Sequence, residues 1–477
     1  MSSLSKEKGI SIQRAALIVS IAYGSVLFTS AAFQHYLFGT QVWDIGLFEQ
    51  FSWLIGEGQI WTISSLRNIA PLQDHFSLLL LPIGFIYKLF PSTYTLIGLQ
   101  SIALGSLPAV ASCLAVSRRV NATLIWALVC AIVLSPYSFL VNRGDFHPDV
   151  LTVPLMVVAI FEATKNRRFR YYFCLIVTLF AKNAQALFGI GLCFYCFARG
   201  KYRRGLITFL ISLIWWFLAT HFSSAGGDHV AIRLEYLGDT KIEMLTTLLS
   251  RPWIVFSVAS PSDILLYSLG LSLPFLALLR KPALACLLGA TPVYFTNIIS
   301  GSGIHRELNH HYSVAILAFL IAGCIDSLPS ISVKATQVRK NLLIITLILS
   351  LAAFLGYSRT VYYQTRYFPR LPEARAFQSV VAGIGSGESV LTTASYAVHL
   401  AGRKRISQIE KDTYDSNWPF DVVILPSENA LINVSGKLKK VRRTDIGLQM
   451  NQILGKAELL GMNCSQPNDY IRVCRKV

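Results

Sequence analysis

WDIGLFEQFSWLIGEGQIW (Trp43–Trp61), QDHFSLLLLPIGFIYKLFP (Gln73–Pro91) and an apolar run that closes in SRR (Ser117–Arg119) follow one another in this 477-residue chain. The segment from Phe76 to Phe90 is too short to cross a bilayer, carries Lys88 and stops at Pro91, so it reads as a re-entrant or interfacial helix. Carboxylates stand just ahead of it, beginning with Asp44. That order points to chemistry done where lipid meets water.

The surrounding sequence is that of a membrane protein: 53% of residues are hydrophobic and 14% charged, and apolar runs of spanning length recur throughout. The expectation is an α-helical polytopic protein. Spans are expected at about 15 to 33, 94 to 117, 122 to 141, 148 to 164, a pair of short segments within 171 to 198, 205 to 223, 262 to 279, 282 to 300, 310 to 327 and 340 to 357, about eleven crossings in all. Strands alternating as in a membrane barrel are absent from the pattern, and helices satisfy their own backbone in lipid.

Lys and Arg accumulate in short cytoplasmic loops. With the N-terminus inside, eighteen basic residues before the tail fall on inner segments and eight on outer ones, whereas twelve of fifteen acidic residues fall outside, leaving Glu7, Glu162 and Asp326 within. The same count keeps the segment from Phe76 to Phe90 from crossing, since a crossing would put Arg118 and Arg119 outside. It also makes the half-length pair around AKNAQ a bend, with basic ends on the inner side and Lys182 and Asn183 at a tip reaching toward the outer face.

Residues 1–357 are thus expected to form the membrane domain, with a first outer loop at 34–93, and residues 358–477 a small extracytoplasmic α/β domain. Within the tail ESVLTT, SYAVHLAG and DVVILP read as strand, helix and strand. MNCSQPNDYIRVC reads as a hairpin whose Cys464 and Cys474 are placed to bridge in an oxidising compartment. The tail's net charge of +7 suits contact with anionic lipid head groups or cell-wall polymer, and equally suits plain solubility. Nucleic acid is not an expected partner despite the overall +18, because most basic residues before the tail determine topology.

Several residues carry candidate chemistry. Asp44 opens an amphipathic stretch that also holds Glu49; it suits either a helix cap or a general base. Asp74 and His75 precede the short helix, and Asp145, His147 and Asp149 lie in NRGDFHPDV. Such Asp and His groupings suit a divalent ion, a phosphate site or an oriented histidine, though the spacing matches no zinc signature. GSGIHRELNHHY brings Arg306, His310 and His311, a basic loop able to neutralise phosphate. Lys182, at membrane depth, is the other basic candidate.

WDIGLFEQ, the short helix HFSLLLLPIGFIYKLFP and the span ending SRR together resemble the N-terminal module of GT-C superfamily glycosyltransferases. WDIGLFEQ, QDHFSLLLLP, DFHPDV, the Lys182 segment and NHHYS more closely resemble the bacterial membrane-protein family of domain of unknown function 2079, over residues 40 to 425. The wider resemblance implies an inverting transferase in the cytoplasmic (inner) membrane that takes sugar from a polyprenyl-phosphate carrier on the outer face, with Asp44 as general base. Arg306, His311 and Lys182 would stabilise the leaving phosphate. Catalytic roles are then expected for Asp44, Asp74, His75, Asp145 and His147, and substrate binding for Glu49, Asp149, Lys182, Arg306, His310 and His311, with a divalent ion as the one cofactor the set admits and membrane lipids as surroundings. The closer family usually carries an acidic pair after the lysine, where this chain has Asn183 and Ala184. A transporter or flippase for a lipid-linked or anionic solute, or a non-catalytic assembly factor, are the other classes this sequence fits.

Overall fold

The computed structural model describes residues 3–223, 233–409, 419–434 and 437–476. Among the described residues seven helices are long and apolar enough to cross a membrane: Gly9–Tyr36, Thr93–Ser117, Ala122–Arg143, Tyr202–Phe222, Lys281–Ile299, His311–Ser332 and Thr336–Tyr357. Each coincides with an expected span. The remaining expected spans are shorter: Val150–Glu162, the pair Arg168–Leu179 and Asn183–Ala198, and Pro261–Ser272. The segment expected not to cross is the ten-residue helix Leu80–Leu89.

Proline and capping residues punctuate these helices. Asn121 caps the helix that follows by accepting the Thr123 amide at 3.0 Å. Pro136 stands in the first turn of Pro136–Arg143, behind Ser135, and breaks Ala122–Arg143 into two pieces. Close helix crossings rest on small residues. A Cβ at Gly191 would lie 2.0 Å from the Gly289 carbonyl oxygen, so helices Ala186–Ala198 and Leu284–Ile299 can approach only with glycine there.

The residues group into two compact units. One comprises 1–28, 72–79 and 98–358, and the other 29–71, 80–97 and 359–477. In the first, the core is apolar and helical, from Leu27 through Phe319 to Ile331. Ion pairs in it join residues that charge counting assigns to the same side. Asp326, on His311–Ser332, meets Arg118 at 2.7 Å, Tyr195 Oη at 3.0 Å and the Arg199 guanidinium. These contacts tie the ends of three helices.

In the second unit a five-stranded sheet has the order β2-β1-β3-β7-β6, with β1 Val390–Thr392, β2 Ile406–Gln408, β3 Val422–Pro426, β6 Asn463–Ser465 and β7 Ile471–Arg475. β1 runs parallel to β2 and β3, and β7 antiparallel to β3 and β6. Cys464 pairs with Cys474 across β6 and β7 and is bridged to it. A small separate ribbon pairs β4 Leu431–Val434 with β5 Lys437–Lys440.

Asp326→Ala strands two largely buried guanidinium groups, and breaking such a pair costs about 3 kcal/mol. The variant is expected to unfold at a clearly lower temperature in detergent than wild type, and an unchanged midpoint would mean Arg118 and Arg199 find other partners.

Candidate functional site

The first unit gathers four stretches, 74–79, 144–149, 180–185 and 307–313, in which the α-helices give way to turns and short 3-10 turns. They are sewn together by their backbones: the Asn183 amide donates to the His75 carbonyl (3.2 Å) and the Leu79 amide to the Phe180 carbonyl (3.1 Å). Gly144 packs so tightly on Asn309 that an added Cβ would sit 1.6 Å from its carbonyl oxygen, which fixes the NRGDFHPDV loop against NHHYS. Gln100 clamps the same loop, donating to the Asp145 carbonyl at 2.9 Å and accepting from the His147 amide at 3.0 Å. Asp145 itself is held at φ 77°. Tyr137 donates to the His310 carbonyl and accepts from the Ser313 amide, pinning the histidine loop.

At the break between Arg168–Leu179 and the following helix, Lys182 takes an extended conformation. Its carbonyl accepts from the Trp215 indole at 3.1 Å, and its side chain is buried. The ammonium lies 3.2 Å from His147 Nδ1, 3.1 Å from His311 Nε2 and 3.6 Å from Asp149 Oδ1. Gln185 Nε2 donates to Asp149 Oδ2 at 3.3 Å, and the two imidazoles stack at 3.8 Å. An ammonium has only donors, so both facing ring nitrogens must accept. Both imidazoles are then neutral, with His147 Nε2 and His311 Nδ1 as their N–H ends. Burial, reinforced by the charges of Lys182, His310 and His75, holds His147 well below the usual histidine range. Burial pushes the Asp149 carboxyl up and Lys182 draws it back. The buried Nδ1 of His311 meets no hydrogen-bond partner among the described residues.

His147, Asp149 and His311 offer ligand atoms within 4.8 Å of one another. The Lys182 ammonium, however, sits against all three, so the arrangement does not fit a divalent ion while that lysine is charged. Lysine supplies the positive charge instead.

Other expected residues fall as follows. Asp74 and His75 pair at 3.4 Å beside the Lys182 bend, and the Asp74 carbonyl accepts from Ser223. Arg306 spends its guanidinium on backbone, donating to the Asn297, Ser300 and Val258 carbonyls; it holds the loop's shape. His305, which sequence reasoning passed over as a site residue, is buried against Tyr312 and held near 3 by burial and nearby arginines.

In the second unit Asp44 lies half-buried within a π-helical turn, Val42–Gly46, that runs into Leu47–Gly56. The turn's N-cap is Gln41 and no side chain caps either helix, so Asp44 does not act as the cap. Glu49 is buried; Tyr87 donates to its Oε1 (2.8 Å) and Thr93 to its Oε2 (2.7 Å). Burial lifts the Glu49 carboxyl to about 7 against the pull of those hydroxyls and Arg403. Tyr87, Thr93 and Arg403 were not legible as partners, since they lie far along the chain.

The family described as "Predicted membrane protein (DUF2079)" matches residues 34–446. No curated protein matches the chain. Among solved structures, ArnT from Cupriavidus metallidurans bound to undecaprenyl phosphate is similar in fold, with a TM-score of 0.56 at 11% identity over 97% of this chain and 98% of that one. ArnT from the same organism in the apo state gives a TM-score of 0.50 at 12% identity over 95% and 98%. Over nearly its whole length the chain therefore shares the fold of these structures.

Because Glu49's carboxyl is raised on folding, the folded state binds the proton that the unfolded chain gives up between about pH 4.5 and 7. Stability is fully present below that window and falls as pH rises through it. Glu49→Gln is expected to flatten this part of the unfolding-temperature profile measured in detergent; a slope that persists would assign it to another group.

Proposed function

This chain belongs to the DUF2079 family of predicted membrane proteins, and we propose that it is an integral membrane glycosyltransferase moving sugar from a polyprenyl-phosphate carrier to an acceptor on the outer face of the cytoplasmic membrane. The observation that carries the reading is the buried Lys182 ammonium held by His147, His311 and Asp149, in a GT-C fold whose solved counterpart was crystallised with undecaprenyl phosphate. A buried ammonium with neutral histidines around it is suited to a phosphate that gains charge as its bond to sugar breaks. His311 Nδ1, a donor with no partner among the described residues, adds a second point of recognition.

Asp44 is the carboxylate to which the general-base role falls. It takes the proton of the acceptor hydroxyl as that oxygen attacks the anomeric carbon; the carbon–oxygen bond to phosphate breaks on the opposite side, and polyprenyl phosphate leaves with the electron pair. His147 and Asp149 position Lys182, and Asp74 with His75 supports the bend that carries it. Glu49 and Arg306 hold structure.

The test is transfer of radiolabelled sugar from polyprenyl-phosphate donors by the purified full-length chain. Asp44→Asn keeps size and removes the base, and is expected to lower transfer by about 10²-fold or more while donor binding persists. Undiminished transfer would remove Asp44 from the chemistry. Lys182→Met is expected to weaken donor binding as well as turnover, separating the two roles. No transfer by wild type across several donor sugars would defeat the transferase reading in favour of transport or assembly.

A further inference from the structure

The loops 165–168 and 200–204, at the far ends of the helices Arg168–Leu179 and Asn183–Ala198 from the Lys182 bend, line a cavity of about 610 Å³. Five of its lining residues are basic, Lys165, Arg168, Lys201, Arg203 and Arg204, and none is acidic. Two of these charges are already committed. Arg204 donates to the Glu162, Ala163 and Lys165 carbonyls at the end of helix Val153–Glu162, and Lys165 lies over the Phe161 ring at 5.3 Å. Among the described residues no ion pair takes up Arg168, Lys201 or Arg203.

Two helices also begin at this cavity, Arg168–Leu179 and Tyr202–Phe222. Neither has a side-chain cap, and neither has an acidic residue in its first turn. Both first turns hold basic residues instead, which the helix dipole disfavours unless an anion lies between them. Toward the helix interiors the lining turns apolar, with Ile207 and Ile211 one and two turns into the spanning helix. Topology alone accounts for positive loops, but not for a cavity that runs from three uncommitted cations onto isoleucine.

We propose that this cavity binds the phosphodiester headgroup of an anionic membrane phospholipid, with the first methylenes of an acyl chain along Ile207 and Ile211. Basic pockets between membrane helices select such lipids by charge. A free phosphate shares the headgroup's chemistry, yet would leave the isoleucine slot unused. The site is independent of the transferase reading and stands whether or not sugar transfer is found.

The experiment measures lipid binding to the purified full-length chain in detergent by native mass spectrometry, with phosphatidylglycerol and phosphatidylcholine of equal chain length. Phosphatidylglycerol is expected to bind about tenfold tighter, and the variant R168Q/K201Q/R203Q to lose that preference. K281Q/K334Q/K340Q removes equal charge from other exposed basic loops and is expected to keep it. Equal loss in both variants would reduce the effect to general electrostatics and overturn the proposal, as would wild-type preference in R168Q/K201Q/R203Q. Inorganic phosphate that displaces the lipid at equal concentration would also overturn it, making this a free-anion site. The single variant R203Q, expected to lose severalfold of the preference, decides the matter if the triple variant unfolds in lipid-free detergent.

Discussion

A backbone group freed where a helix is interrupted and buried away from water must find a partner within the protein. Among the described residues of the first unit, the stretches at 74–79, 144–149, 180–185 and 307–313 cover one another. The bend at 180–185 is satisfied by 74–79, through the His75 and Leu79 backbones, while 144–149 is held by Gln100 and by the closeness of Gly144 to Asn309. Because the loops must meet, their side chains meet too. The charged cluster is thus a consequence of how the breaks are paid for.

Within that cluster one cation organises everything. An ammonium donates to His147 Nδ1 and His311 Nε2 with the Asp149 carboxylate 3.6 Å away, and the two imidazoles that accept from it must therefore stay neutral. Three potential metal ligands are brought together by a lysine, and the lysine's charge stands where an ion's would. The second unit treats its buried acid differently. Glu49 has two hydroxyl donors and a smaller pull from the Arg403 charge, so burial dominates and its carboxyl rises to about 7.

Much of this could be read from the residues. Spans are long apolar runs, and each of the seven full-length helices was visible; so were the short helix closed by Pro91, the bend at Lys182 and the hairpin of Cys464 and Cys474. Apolar length cannot distinguish a full crossing from a half-length helix when loops cover its end, which is why the segments at 150–162 and 261–272 came out short. Lys182 was accessible as a candidate because ionisable groups at membrane depth are rare, His147 because Asp and His cluster in its loop, and His311 because its loop is basic. Their mutual geometry was not, since 35 and 129 residues separate the lysine from its partners. Arg306 reads from sequence as a phosphate binder, and what the sequence could not show is that its guanidinium donates to carbonyls that only the folded loop brings to it.

Asn183 and Ala184 bear on the charge balance of the cluster. Asn183 Oδ1 accepts the Ala184 amide at 2.7 Å, a local turn that brings no charge. Lys182 is then opposed at close range by the Asp149 carboxylate, whose pKa burial already raises. An acidic pair at these positions would add negative charge next to the ammonium and weaken its hold on an incoming anion. On the proposed reading, a phosphate arriving without that pair would drive Asp149 further toward its protonated form, because like charges in a buried site disfavour joint ionisation. Protonation of Asp149 would leave the ammonium's charge to the phosphate, so on that reading the neutral residues after Lys182 would favour anion binding over cation binding.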